Sequence, residues 1–141
     1  MLTVDALNIR DEWHTVVDSV IKEKPAFIKL TQDCMMLSDI GVIEDLLTAY
    51  SFTARLHVED DGTITLGLVE IDLAENGSDK QDAVRKLAQS ILDYAEDYYR
   101  EFRLWYSAPN RKAHLPYVIK ALILNDVDAL GGLITCHPGK I

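Results

Sequence analysis

"KPAFIKLTQDCMMLS", residues 24–38, decides how the chain is read. An apolar run, the polar break Thr31, Gln32 and Asp33, and a second apolar run follow directly on a stretch that Pro25 closes. Short apolar runs on either side of a polar break predict a hairpin of two buried strands, Ala26 to Leu30 and Cys34 to Leu37. Upstream, from Arg10 onward, Trp13, Val16, Val17, Val20 and Ile21 recur at helical spacing as one apolar stripe. Asp11 and Glu12 in its first turn and Lys22 and Lys24 in its last suit the helix dipole, and Pro25 prevents continuation. Before that helix, "LTVDALNI" begins with the alternation of a short strand; after the hairpin, Ile43, Leu46, Leu47 and Tyr50 mark a second helix over 40–50. The hairpin gives the helices a small sheet to lie on, since neither short strands nor a lone helix are stable in water.

Strand, helix, hairpin and short helix over residues 1–50 resemble the N-terminal half of Phd/YefM-type antitoxins, the small DNA-binding partners of bacterial toxins. In "RDEWHTVVDSV", Arg10, Trp13, Val17, Asp18 and Val20 match that family's pattern of an Arg, apolar and acidic positions and a Val, and Lys24 with Pro25 match its "KP" before the hairpin. The resemblance implies a homodimer joined through residues 1–50, with Arg10 on the phosphates or bases of operator DNA, and a partner toxin neutralised by the rest of the chain. Two features depart from the family: the turn "TQDC" lacks its basic and Gly residues, and the first 50 residues carry four basic side chains against nine acidic ones.

The second half, residues 51–141, opens with "FTARLHVEDDGTITLGLVEIDL", two alternating strands around an Asp-Asp-Gly turn. Phe52, Ala54, Leu56 and Val58 face one way and Thr53, Arg55 and His57 the other. "AENG" reads as a loop, and Ser78 with Gln81 as a capping box. A long amphipathic helix then carries Val84, Leu87, Ala88, Ile91, Leu92, Ala95, Tyr98, Tyr99 and Phe102 as far as Tyr106, before Pro109. Hairpin, loop and helix in this order resemble the partial double-stranded-RNA-binding-like fold of HicB-type antitoxins. Beyond Pro116, Tyr117, Ala121, Leu122 and Leu124 suggest one more buried helix, and Gly131-Gly132 a turn before a last strand or coil. The fold class is α+β: a small sheet with packed helices, then a β-hairpin and a long amphipathic helix.

The candidate partner-binding residues are Tyr98, Tyr99, Phe102, Arg103, Trp105, Tyr106, Arg111 and Lys112, the last two in the most basic patch of the chain with His114. Aromatic and Arg side chains in one place are the composition of protein–protein contacts, and a basic patch with interleaved aromatics can also stack on bases. On this division of labour, Trp105→Ala removes partner binding from an intact fold, and Phe27→Ala unfolds the first half.

Chemistry leaves little trace. Phosphate loops, Rossmann glycines and hydrolase elbows are absent. His14 and Asp18 share a helix face without a nucleophile, and the carboxylates around Glu59, Asp60 and Asp61 or Glu70, Asp72 and Glu75 belong to a turn and a loop. No catalytic residue, metal or cofactor is expected, and Cys34 and Cys136 read as plain apolar residues. With 141 residues, 48% of them apolar, the chain can bury a core; a net charge of −9 disfavours general coating of nucleic acid. Apolar stretches fall short of the roughly 18–20 residues that cross a bilayer, so a soluble, cytoplasmic protein is expected. Three classes compete: a dimeric antitoxin that represses its own operator, an interaction adaptor of the same fold that binds no DNA, and a small enzyme without a motif.

Overall fold

Two sheets, each with its own helices, make up the computed structural model, which describes residues 3–139. The chain divides into two units, Met1–Leu46 and Leu47–Ile141.

In the first unit, β1 (Thr3–Asp5) pairs in parallel with β2 (Ala26–Leu30), Val4 opposite Ile28, and β2 pairs antiparallel with β3 (Asp33–Leu37), Leu30 opposite Asp33. A parallel pair needs a crossover, and α1 (Ile9–Lys22) supplies it. Lys24 therefore lies outside the helix, whose end is set by the backbone N–H groups of Glu23 and Lys24 donating to Ser19 O at 2.8 and 3.2 Å. The turn is two residues, not three, and Thr31 takes φ 49°, a left-handed conformation uncommon for a β-branched residue. The hairpin is not the buried pair that its sequence predicts: of its strands only Ile28 is buried among the described residues, and Met35 and Met36 are 52% and 47% exposed. Val16 and Val20 are the buried residues of α1, while Trp13 and Ile21 of the same stripe are exposed. The short helix α2 (Ile40–Leu46) starts where Asp39 Oδ1 accepts from Gly41 N–H at 2.8 Å.

Leu47–Tyr50, expected to continue α2, are instead fixed within the second unit. Lys120 Nζ donates to the carbonyl oxygens of Leu47 and Tyr50 at 3.3 and 2.5 Å, and the Tyr50 ring meets Tyr117 edge-on at 5.5 Å. There β4 (Phe52–Val58), β5 (Ile64–Leu68), β6 (Ala74–Gly77) and β7 (Ile134–Pro138) form a sheet in the order β6-β5-β4-β7, in which only β7 is parallel to its neighbour. Gly62, at φ 86°, makes the β4–β5 turn, and Asp61 accepts from the N–H and hydroxyl of Thr63 at 2.9 and 2.6 Å, bonds that hold its carboxyl below the ordinary aspartate range. "AENG" is a strand, not a loop: it is a short polar edge whose Glu75 accepts from Ser90 Oγ.

The helix α3 (Lys80–Arg100) covers β5 and β6. Its capping residue is Asp79 rather than Ser78: Asp79 Oδ1 accepts from Asp82 N–H at 2.8 Å while Asp82 Oδ2 accepts from Ser78 N–H at 2.9 Å. The Ser78 N–H, followed by Lys86 and Arg85, holds the Asp82 carboxyl at about 2. One helix does not run to Tyr106. It breaks at Glu101, with φ −115° and ψ 49°, and α4 (Phe102–Ser107) turns away. A 3₁₀ turn at Lys112–His114 leads to α5 (Leu115–Leu124); Asn125, left-handed at φ 44°, ends it, and α6 (Val127–Gly132) begins on the cap of Asp126. The core holds Phe52, Leu66, Ile71, Leu87, Ile91, Tyr98, Val118 and Leu130, each at most 2% exposed.

Gly77, where β6 meets α3, has no room for a side chain: a Cβ there would stand 2.3 Å from Ala83 N. Gly77→Ala is expected to destabilise the protein by about 1–3 kcal/mol through overpacking against backbone, read as a lower midpoint in chemical denaturation.

Candidate partner-binding site

The break at Glu101 folds α4 back so that its rings meet those at the end of α3. Tyr98 stacks against Trp105 with centroids 6.0 Å apart and meets Phe102 at 5.9 Å, and Phe102 stacks on Tyr106 at 5.2 Å. Tyr94, one turn before Tyr98, meets Trp105 edge-on at 5.5 Å. Over this layer lies the guanidinium of Arg111, 4.9 Å from the Trp105 centroid and 5.6 Å from that of Tyr94, while Lys112 Nζ stands 5.0 Å above Tyr106. Cations over ring faces contribute about 0.5–2 kcal/mol each, more where water is excluded.

A hydrogen-bonded chain fixes these groups. Tyr98 Oη donates to Arg111 O at 2.9 Å; Arg111 Nη1 donates to Tyr94 Oη at 3.1 Å, and Tyr94 Oη shares a hydrogen with His114 Nδ1 across 2.6 Å. A bare Nδ1 accepts the Tyr94 hydrogen, and a protonated Nδ1 donates to the Tyr94 oxygen. Burial, then the Arg111 charge, push the His114 pKa down, and Asp72 opposes them in part. Burial raises the Tyr98 hydroxyl.

Tyr98 is therefore core and not surface, fully buried with its hydroxyl satisfied inside. Phe102, Trp105, Tyr106 and Arg111 are half-buried in the same cluster. Tyr99, Arg103 and Lys112 remain exposed, and Leu104, which sequence reading passed over, is 66% exposed like Tyr99. Helical periodicity places Tyr94 on the stripe with Ile91 and Tyr98, so it could have been found; the bond to His114 could not, because only the break at Glu101 brings residues 111–114 back. Trp105→Ala consequently bears on stability as well as on any contact. In the first unit Arg10 is exposed in the first turn of α1, beside exposed Asp11 and Glu12. Among the described residues no group of three or more His, Cys, Asp or Glu could hold a metal ion, and no helix is long and apolar enough to cross a membrane.

Because folding depresses the His114 pKa, the unfolded chain takes up the proton first. Stability is then full above the ordinary histidine value of about 6.5 and is lost as pH falls from there through the lower folded value. The midpoint of thermal unfolding is expected to drop over that window, and His114→Gln to flatten the drop. The comparison of variant with parent cancels the opposite trend from Glu70, whose pKa burial raises.

No curated protein sequence matches the chain. A family model, PHD_like, described as "Antitoxin of toxin-antitoxin, RelE / RelB, TA system", matches residues 1–136. A crystal structure of an antitoxin part of a candidate toxin/antitoxin system from Syntrophomonas wolfei subsp. wolfei is 35% identical, covers 99% of this chain and 100% of its own, and superposes with a TM-score of 0.92. Its likeness extends over both units, so the family match does not rest on the first alone. The chain belongs to this family of antitoxins of toxin–antitoxin systems.

Proposed function

We propose that this antitoxin is a homodimer joined through its first unit, that its second unit occupies the partner toxin that the family implies, and that it acts by binding alone, without catalysis. One observation carries the dimer: in the first unit only Val16, Val20 and Ile28 are buried among the described residues, while Leu7, Trp13, Ile21, Met35, Met36 and Ile40 are exposed. Burying a large aliphatic side chain contributes about 1.5–3 kcal/mol, against about 1–2 kcal/mol of backbone entropy for every residue ordered. Three such side chains cannot hold this sheet and its helices, and a second copy offers the same apolar surface in return. The order β1-α1-β2-β3-α2 supports the Phd/YefM-like reading of this unit, and the β4–β5 hairpin followed by α3 the HicB-like reading of the other.

The toxin would contact the exposed side of the aromatic cluster. Tyr99 and Leu104 are exposed apolar residues and Arg103 and Lys112 exposed basic ones, carried by the segments whose Tyr98, Trp105 and Arg111 stack together. Arg10 would contribute to operator DNA. A second reading, an adaptor that binds no DNA, is favoured by the four basic against nine acidic residues of the first 50.

Size-exclusion chromatography with light scattering is expected to give a dimer at tens of micromolar concentration; a monomer overturns the reading. Operator DNA is expected to bind more weakly as salt rises and in Arg10→Ala, and a promoter fragment that never shifts at low salt leaves the adaptor. Tyr99→Ala with Leu104→Ala is expected to weaken binding of the partner toxin by about 2 kcal/mol or more, roughly 30-fold, with circular dichroism unchanged. Equal affinity for parent and variant rejects this surface.

A further inference from the structure

The outer face of the second unit's sheet is used by neither the core nor the aromatic cluster. Alternation along β4 sends Phe52 and Ala54 into the core and leaves Thr53, Arg55 and His57 on the other side. Register sets Thr135 and His137 of β7 beside Thr53 and Arg55, and Gly67 and Thr65 of β5 beside Arg55 and His57. Among the described residues of these strands Arg55 is the formally charged side chain of this face: Glu75, the acidic residue of β6, turns inward to Ser90, and Glu59, just past β4, is held by Thr65 and His57. Among the described residues the Arg55 side chain has neither an ion pair nor a hydrogen bond. Its stem runs along the end of β7, where a Cβ on Gly139 would lie 3.8 Å from Arg55 Cδ.

A groove of about 480 Å³ lies here, lined by Thr53, Arg55, Val69, His137, Pro138 and Gly139. A neighbouring groove of about 250 Å³ shares Arg55 but includes Asp72. The larger one has no acidic residue in its lining, although the chain carries a net charge of −9. The nearest carboxylates are engaged or lie outside it: Glu70 accepts from Thr53 N–H, Glu59 accepts from Thr65 Oγ1 at 2.8 Å, and Asp72 lines the other groove. Guanidinium, imidazole and hydroxyl thus converge beside two apolar side chains.

We propose that this groove docks an extended segment of a partner protein that carries a carboxylate next to an aliphatic side chain. The carboxylate sits on Arg55, whose planar fork matches it with two parallel bonds, and the aliphatic group sits on Val69 and Pro138. The surface is separate from Tyr99 and Leu104, and its occupancy does not depend on toxin contact there.

The test uses the full chain labelled with ¹⁵N and two capped peptides, one alternating Glu and Val, the other Lys and Val. The Glu peptide is expected to shift the backbone amides of residues 53–57 and 135–137, less so as salt is raised from about 50 to 500 mM, and Arg55→Glu to weaken it at least tenfold. Arg55→Gln keeps the stem against Gly139 and removes the charge; it is expected to lose binding too, and it decides the matter if the Glu variant folds poorly. The proposal falls if the Glu peptide shifts nothing at millimolar concentration, if the Lys peptide shifts the same amides equally, or if either Arg55 variant binds like the parent.

Discussion

The larger unit depends on the buried face of α3. From Ala83 through Leu87, Ala88, Ile91, Tyr94 and Ala95 to Tyr98, this face is at most 8% exposed. It covers β5 and β6, and α5 and α6 pack against it in turn. Small residues at Ala83, Ala88 and Ala95 let neighbouring backbone come close, and the bare Cα of Gly77 takes this furthest. Asp79 and Asp82 anchor the first turn of the helix, and the Tyr98 hydroxyl ties its last turns to the chain that returns past Pro109. A break in this helix would therefore open the sheet and the aromatic cluster together.

The smaller unit is built on a different balance. Its parallel pair and hairpin are complete in backbone terms, with β1, β2 and β3 in register, but its side chains bury little. Apolar residues occupy both faces of β3, which makes it a poor edge for a protein that stays alone, since an uncovered apolar strand invites uncontrolled pairing. Acidic side chains on α1, with Lys22 bound to Asp18 at 3.0 Å, are exposed to water. The two units thus divide cohesion between them: one closes on itself, and the other has its apolar surface facing out.

Much of this was legible in the sequence. Apolar periodicity placed α1, the 26–37 hairpin, the β4–β5 hairpin and most of α3, because each of these buries or aligns a stripe of side chains in its own segment. What stayed hidden was decided by partners distant in sequence. β6 has no alternation of its own to show; it is a strand because β5 lies beside it. Leu47 and Tyr50 continue the apolar pattern of α2, yet Lys120 takes their carbonyls. The pattern over Tyr98–Tyr106 reads as one helix since rings recur at helical spacing on both sides of Glu101, and those rings meet each other because the helix breaks there. Aromatic and basic residues signalled an exposed surface, yet five of the eight, Tyr98, Phe102, Trp105, Tyr106 and Arg111, are buried or half-buried, and Tyr99, Arg103 and Lys112 are exposed. The groove at Arg55 gave no signal, as β7 brings His137 to it from the far end of the chain.

That last pairing has a consequence for synthesis. β4 is central in its sheet, yet its partner on one side, from Ile134 opposite Phe52 to Pro138 opposite Leu56, is made only after α3, α4, α5 and α6. Contacts this remote in sequence form late, after the entropy of a long loop has been overcome. The strand pairings of the first unit, by contrast, join neighbouring segments. Until β7 arrives, β4 keeps one row of backbone groups unpaired, and a nascent chain stalled short of Ile134 presents an open sheet edge to whatever surrounds the ribosome.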